Sequence, residues 1–156
     1  MRSNALLILN PLSQINEQSM AIHRALGNKR DIAHSLSQLA QVCFVSQADR
    51  ARVSPLLEEC LALSLQVGFK EGIAASYSVS GQVALSQGDL AAARSLAEKS
   101  VARYREMGHR HGTANALSLF SQSYMFSFGL VANNSMLPHS SHRWNSTRSH
   151  QLVHVQ

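Results

Sequence analysis

The segment GFKEGIA at residues 68–74 has a close relative on each side, GNKRDIA at 27–33 and GHRHGTA at 108–114. The leading glycines lie 41 and then 40 residues apart, and the final alanines keep these offsets. Polar residues around the segments recur in the same register: Glu17, Glu58 and Glu98; Ser37, Ser78 and Ser118; Gln41, Gln82 and Gln122. A period of about 20–50 residues is typical of stacked repeats, so we predict a repeat array.

Each unit is predicted to contain two helices, an A helix followed by a B helix. In the middle unit the A helix spans about 70–86 and the B helix about 90–107. Between them, Gly88 suits the left-handed residue that closes a helix, and Asp89 suits the N-cap of the next. Residues 47–49 are the corresponding turn of the first unit.

The glycines that open the three repeated segments are predicted to close the helices before them. Each follows an apolar residue, which is typical of a glycine just past a helix end. Counted from Glu17, the helices are B, A–B, A–B and a last A helix over about 110–127. Pro55 lies in the B helix of the first A–B pair and distorts it if that helix begins as early as Arg50.

Composition excludes several classes of protein. The chain has 156 residues, about one domain, and its hydrophobic fraction of 45% is too high for a chain disordered throughout. Two cysteines are too few for a disulfide framework, and 8 Gly with 3 Pro are few for the many turns of a barrel or sandwich. Apolar runs fall short of the roughly 18 residues of a membrane span. We therefore expect an all-α, cytoplasmic protein without a membrane segment.

The helix pairs resemble a tetratricopeptide repeat. The matching residues are Leu36, Leu39, Ala40 and Cys60 in the first unit and Tyr77, Gly81, Gly88, Asp89 and Ser100 in the second. The period of about 40 is similar to a long-helix subclass found in scaffold proteins, bacterial signalling ATPases and transcription regulators. The resemblance implies an α-solenoid, a right-handed superhelix of antiparallel helix pairs. It also implies that helices approach closely at Ala40, Gly81 and Ser121. We place the repeat domain at 1–130 and an irregular or disordered His/Ser-rich tail at 131–156.

The same resemblance implies that the A helices line a concave groove that binds a protein or an extended peptide. The residues placed there are His34, Ser37, Gln41, Phe44, Ser78, Gln82, Asn115, Ser118 and Gln122. Most are polar and uncharged, and a Gln amide both donates and accepts hydrogen bonds. The absence of Lys and Arg from these positions disfavours binding of a C-terminal carboxylate. The alternative is that these side chains are an ordinary solvated helix face.

We therefore predict a protein–protein interaction module in a regulatory or signalling assembly. One alternative is an orphan or truncated segment of a larger signalling ATPase or transcription regulator, with a sensing or autoinhibitory role. Another is a nucleic-acid-associated protein, because the net charge is +5. Acids interleaved among the arginines and the absence of a concentrated basic stripe disfavour that second alternative.

The motifs of enzymes and cofactor sites are missing from the sequence. Phosphate-binding glycine loops, GxSxG and HExxH do not occur, so we expect neither an enzyme nor a cofactor. The spacings of His139 with His142 and of His150 with His154 suit a metal ion. Their surroundings contain neither Cys nor acidic residues, so we predict no metal site there.

The last A helix is predicted to lack its B partner, because the sequence after Leu130 shows no helical period. Each large apolar side chain left in water forgoes about 1.5–3 kcal/mol. We therefore expect self-association or low solubility through this helix, with Phe120 and Tyr124 in the contact. Whether the chain is complete or a piece of a longer array stays open.

Overall fold

The computed structural model describes the backbone of residues 2–46 and 50–135, and the side chains of residues 11–46 and 50–129. Six helices make up this part of the chain: α1 Arg2–Leu26, α2 Lys29–Ser46, α3 Arg50–Val67, α4 Lys70–Gln87, α5 Leu90–Glu106 and α6 Arg110–Ser135. Strands do not occur in the described ranges, so the predicted all-α class is confirmed.

The predicted helices of the middle unit agree with α4 and α5 to within one residue at each end. The prediction for the last helix differs from the structure, because α6 continues to Ser135, beyond its expected end at residue 127. Helix α3 does begin as early as Arg50, with Pro55 inside it. The turn expected at 47–49 and the tail from residue 136 onward lie outside the described residues.

The helix ends follow from glycine in a left-handed conformation. Gly27, Gly68, Gly88 and Gly108 have φ values of 70°, 65°, 81° and 66°, which confirms their predicted role of closing helices. The amide of Phe69 donates to the carbonyl of Ser64 over 2.8 Å, and His109 repeats the bond to Tyr104 over 2.9 Å. The Asp89 carboxylate accepts from the amide of Ala92 over 3.0 Å, as its predicted N-cap position requires.

The helices form two layers. Each helix packs against its neighbours in sequence; in addition α2 packs against α4, and α4 against α6. Helices α1 and α3 do not pack in this way but are linked by two side-chain ion pairs, Arg24 with Glu59 and Arg52 with Glu17. Within the described residues no such packing joins α3 to α5. The even-numbered helices therefore form one continuous layer, and the odd-numbered helices lie behind it.

Each of the two complete helix pairs contains an equivalent buried hydrogen bond from its B helix to its A helix. In the first pair, the Cys60 thiol donates to the carbonyl of Ala33 over 3.1 Å. In the second, the hydroxyl of Ser100 donates to the carbonyl of Ala74 over 3.0 Å. All four residues have no exposed surface, so the sequence repeat is also a repeat of buried contacts.

Of the three small residues implied at close helix approaches, two are buried and one is not. Ala40 is completely buried, and a methyl group at Gly81 would lie 2.8 Å from a methyl of Leu119 on α6. Ser121 is exposed, so the expectation for it was wrong. The equivalent positions are covered by helices that follow in the chain, whereas α6 is the last described helix.

Candidate functional site

An open groove of about 860 Å³ runs across α2, α4 and α6. Eight of the nine residues predicted for the binding groove line it: Ser37, Gln41, Phe44, Ser78, Gln82, Asn115, Ser118 and Gln122. They converge because residues three or four apart lie on one face of a helix, and the repeat places that face on the same side of all three helices. Three polar rows, separated by as much as 81 residues of sequence between Ser37 and Ser118, thus form one surface.

His34 was the ninth residue, and the structure does not place it in the lining. Its side chain is exposed, and its ring Nε2 lies 3.0 Å from the amide nitrogen of Gln38. Gln38, which the sequence analysis did not select, lines the groove instead. The inward-facing position is therefore displaced along the helix from the one expected.

Two glutamines of the groove, Gln41 and Gln122, make only long hydrogen bonds with their neighbours. Gln41 donates to the Gln82 side-chain oxygen over 3.5 Å, and Gln122 donates to the Ser118 hydroxyl over 3.4 Å. Both distances lie above the usual range of about 2.7–3.2 Å for such bonds. These bonds are therefore weak, and a ligand that offers shorter ones can replace them.

Between the polar rows the groove presents apolar and aromatic side chains that sequence reasoning missed. Besides Phe44, they are Val79, Leu85, Tyr104, Leu119 and Phe126. Tyr104 is unusual because it belongs to α5, in the layer behind the groove. Its ring reaches the lining next to Gly112, where an added Cβ would overlap the Tyr104 ring. Gly72 and Gly112 occupy the same repeat position, and this repeated glycine was the sequence signal for space beside the helix.

Tyr104 is 8% exposed, and its ring centroid lies 5.3 Å from that of His109. Burial, with a smaller contribution from the negative charge of Glu71, raises the pKa of the Tyr104 phenol. Both effects keep the phenol neutral at physiological pH. The ring therefore contributes an uncharged surface to the groove.

The described lining of the groove contains no charged residue. Several arginines are instead paired with carboxylates elsewhere: Arg24 with Glu59 at 2.8 Å, Arg52 with Glu17 at 2.9 Å and Arg103 with Glu106 at 3.2 Å. Arg94 lies 3.9 Å from the centre of the Tyr124 ring and donates to the Ser127 hydroxyl. These contacts distribute the positive charge over separate helix faces.

Metal-binding clusters and membrane-spanning helices do not occur in the part of the chain that the structure describes. Among the described residues, His, Cys, Asp and Glu form no group of three or more that would hold a metal ion. The histidines at 139, 142, 150 and 154 lie outside those residues. None of the helices in the described ranges combines the length and apolar character needed to cross a membrane.

Comparison with known proteins identifies no relative of this chain. No family model matches the chain, and no curated protein or solved structure matches it either.

Proposed function

We propose that this protein is an interaction module whose groove binds an extended, uncharged peptide segment of a partner protein. The observation that supports this most directly is the convergence of amide and hydroxyl side chains from α2, α4 and α6 on one groove. An extended peptide exposes its own backbone N–H and C=O groups, and glutamine side chains are complementary to both. The apolar side chains between the polar rows would receive the partner's apolar side chains.

The spacing of the helices sets the register of such a peptide. Packed helices lie about 8–10 Å apart, and an extended chain advances about 3.3 Å per residue. One step from the axis of α2 to that of α4, or from α4 to α6, therefore spans about three residues of ligand. Binding in this register requires Gln41 and Gln82 to give up their mutual 3.5 Å contact and point apart. We expect a binding motif in which every third backbone position meets a glutamine of the groove.

The charge of the lining restricts the partner further. A Lys, Arg, Asp or Glu side chain pressed into the groove would lose water without gaining an opposite charge, which is costly. The preferred segment is therefore one without charges at its buried positions. This property distinguishes the proposed partner from nucleic acid, whose phosphates require basic side chains.

The proposal extends to the architecture and setting of the module. The alternation of helix pairs, the glycine-closed ends and the layer of A helices support a tetratricopeptide-like, right-handed superhelix. We propose that it acts without enzymatic activity or cofactor, in the cytoplasm, as a scaffold or sensing segment of a regulatory or signalling assembly.

A peptide selection tests the groove. Random 12-residue peptides displayed on phage are selected on the full chain, and enriched peptides are then synthesised with a fluorophore. Their affinities are compared between the wild type and the triple variant Gln41→Ala/Gln82→Ala/Gln122→Ala by fluorescence anisotropy. Each lost hydrogen bond costs about 0.5–1.5 kcal/mol, so we expect binding to weaken at least tenfold.

The control is the double variant Gln18→Ala/Gln66→Ala, which removes amides from exposed positions outside the groove lining. It should bind the selected peptides as the wild type does. Enriched peptides that bind the triple variant with unchanged affinity would contradict the proposal, as would a selection that enriches nothing.

A further inference from the structure

The A helices of the first and last units differ in what covers them. In α2, four residues of the buried face are at most 2% exposed: Ala33, Leu36, Ala40 and Cys43. Their counterparts in α6, in the repeat register, are Ala114, Leu117, Ser121 and Tyr124, and all four are exposed. Leu117 is 39% and Tyr124 48% exposed. The face on which α2 receives its B helix is therefore largely exposed in α6, where the Arg94 guanidinium covers part of the Tyr124 ring, at 3.9 Å from its centre.

The B helices show the reverse pattern. In α3, Val53 and Leu56 are 1% and 9% exposed, and the α5 counterpart of Val53, Ala93, is fully buried. The corresponding residues of α1, 41 positions earlier, are Leu12 and Ile15, which are 42% and 59% exposed. Helix α1 thus exposes the residues with which the later B helices contact their A helices.

These two exposed faces are complementary, because among the described helices α1 is a B helix that packs on no A helix before it, and α6 is an A helix that packs on no B helix after it. We propose that α1 of one copy of this chain docks on α6 of a second copy. The contact would reproduce the one already formed twice within the chain, between α2 and α3 and between α4 and α5.

Two details of the receiving face support this docking. A hollow of about 380 Å³ lies beside it, lined in part by Ala114 and Leu117. The two exposed faces also carry the residues needed to form the buried bond that Cys60 and Ser100 make in the complete helix pairs. Ser19 of α1 is the counterpart of Cys60 and Ser100, and Ala114 is the counterpart of Ala33 and Ala74. In the assembled pair, the hydroxyl of Ser19 donates to the carbonyl of Ala114 in the other copy.

This association is head to tail, because the two faces in contact are different. Such contacts build an open chain of copies, or a ring where the rotation closes, rather than a symmetric pair. Each added copy also continues the layer of A helices, and so lengthens the groove across α2, α4 and α6.

Paired surface variants test the geometry. Ile15→Lys blocks only the α1 face, and Leu117→Lys blocks only the α6 face. Leu65→Lys is the control, since Leu65 is 58% exposed on α3 and lies on neither face. Molar mass is measured by sedimentation over a hundredfold range of concentration, and circular dichroism verifies the helical content of every variant. If either lysine variant loses helix, Ile15→Gln and Leu117→Gln replace them.

The wild type and Leu65→Lys should exceed the mass of one chain and grow with concentration. Each blocking variant alone should remain a single chain, with association weakened more than tenfold. An equimolar mixture of the two should form a complex of two chains and stop there, because one intact face remains on each partner. A wild type that stays monomeric would overturn the proposal. So would Ile15→Lys that associates like the wild type, because contact would then not require α1.

Discussion

Helices α2 and α6 occupy the same place in their repeats but differ in environment. Leu36 and Leu117 are equivalent leucines, with exposed fractions of 0% and 39%. Cys43 and Tyr124 are also equivalent, with exposed fractions of 2% and 48%. In α2 the small and apolar residues are enclosed by α1, α3 and α4, whereas α6 packs only against α4 and α5 among the described helices.

The comparison shows that position in the repeat determines which face of a helix is apolar, but not whether that face is buried. Burial requires the next helix of the stack, because each element of a stack of repeats contacts only its neighbours. The inner pairs therefore form the stable part of the array. The outer face of α6 carries apolar side chains that stay in water, so it does not gain the stabilisation that burial of apolar surface gives.

The largest effect should come from truncating the two equivalent leucines. Leu36→Ala leaves a cavity in a completely buried site and should lower the free energy of unfolding by about 2–5 kcal/mol. Leu117→Ala removes a side chain that already contacts water and should cost about 1 kcal/mol or less. Urea unfolding of both variants at dilute protein concentration measures the difference. Equal losses would mean that α6 is as well covered as α2.

A second prediction contrasts the two ends of α6 itself. A methyl group at Gly112 would overlap the ring of Tyr104 and lie 2.7 Å from His109 Nδ1, whereas at Gly129 it would meet nothing within 4 Å. Gly112→Ala should therefore destabilise the protein by about 1–3 kcal/mol through overpacking. Gly129→Ala should stabilise it by about 0.5–1 kcal/mol, because alanine favours an unhindered helix. Thermal unfolding followed by circular dichroism measures the change in stability of each variant. Two changes of the same sign would contradict the prediction.

Much of this architecture was predictable because its signals are local. A glycine with positive φ closes a helix through bonds to residues within the same turn, so the ends of α4 and α5 could be placed from Gly68, Gly88 and Gly108. The polar rows of the groove were predictable for a similar reason. Helical periodicity assigns residues such as Gln41 and Gln82 to one face without reference to distant parts of the chain.

Other features depend on neighbours that a repeat pattern does not specify. Tyr104 reaches the groove from the rear layer because Gly112 leaves room for its ring. Ser121 occupies a close-packing position but is exposed, since no described helix follows α6. The extension of α6 to Ser135 was missed because the repeat register places a turn at 128–129, where Phe128 and Gly129 stand in place of Gly88 and Asp89, and because the stretch that follows shows no helix period. The outcomes at Tyr104 and Ser121 are tertiary, because they are decided by what lies opposite the residue.

The smallest effect concerns the two residues that make the same buried bond in successive pairs. Cys60→Ser should change the free energy of unfolding by about 1 kcal/mol or less at pH 7, because Ser100 already makes this bond over 3.0 Å. The wild type and this variant also differ in how their stability depends on pH.

Burial is the largest of several influences on the Cys60 thiol, and it raises the pKa above the ordinary value of 9.0. An unfolded chain therefore releases this proton at lower pH than the folded chain, so the stability of the wild type falls as the pH rises above about 9. The serine variant lacks that loss. Its stability relative to the wild type should therefore increase between pH 8 and pH 10 in urea titrations, while the contribution of Tyr104 cancels because both proteins contain it. A difference that stays constant over this range would show that the thiol at position 60 is not sheltered from water.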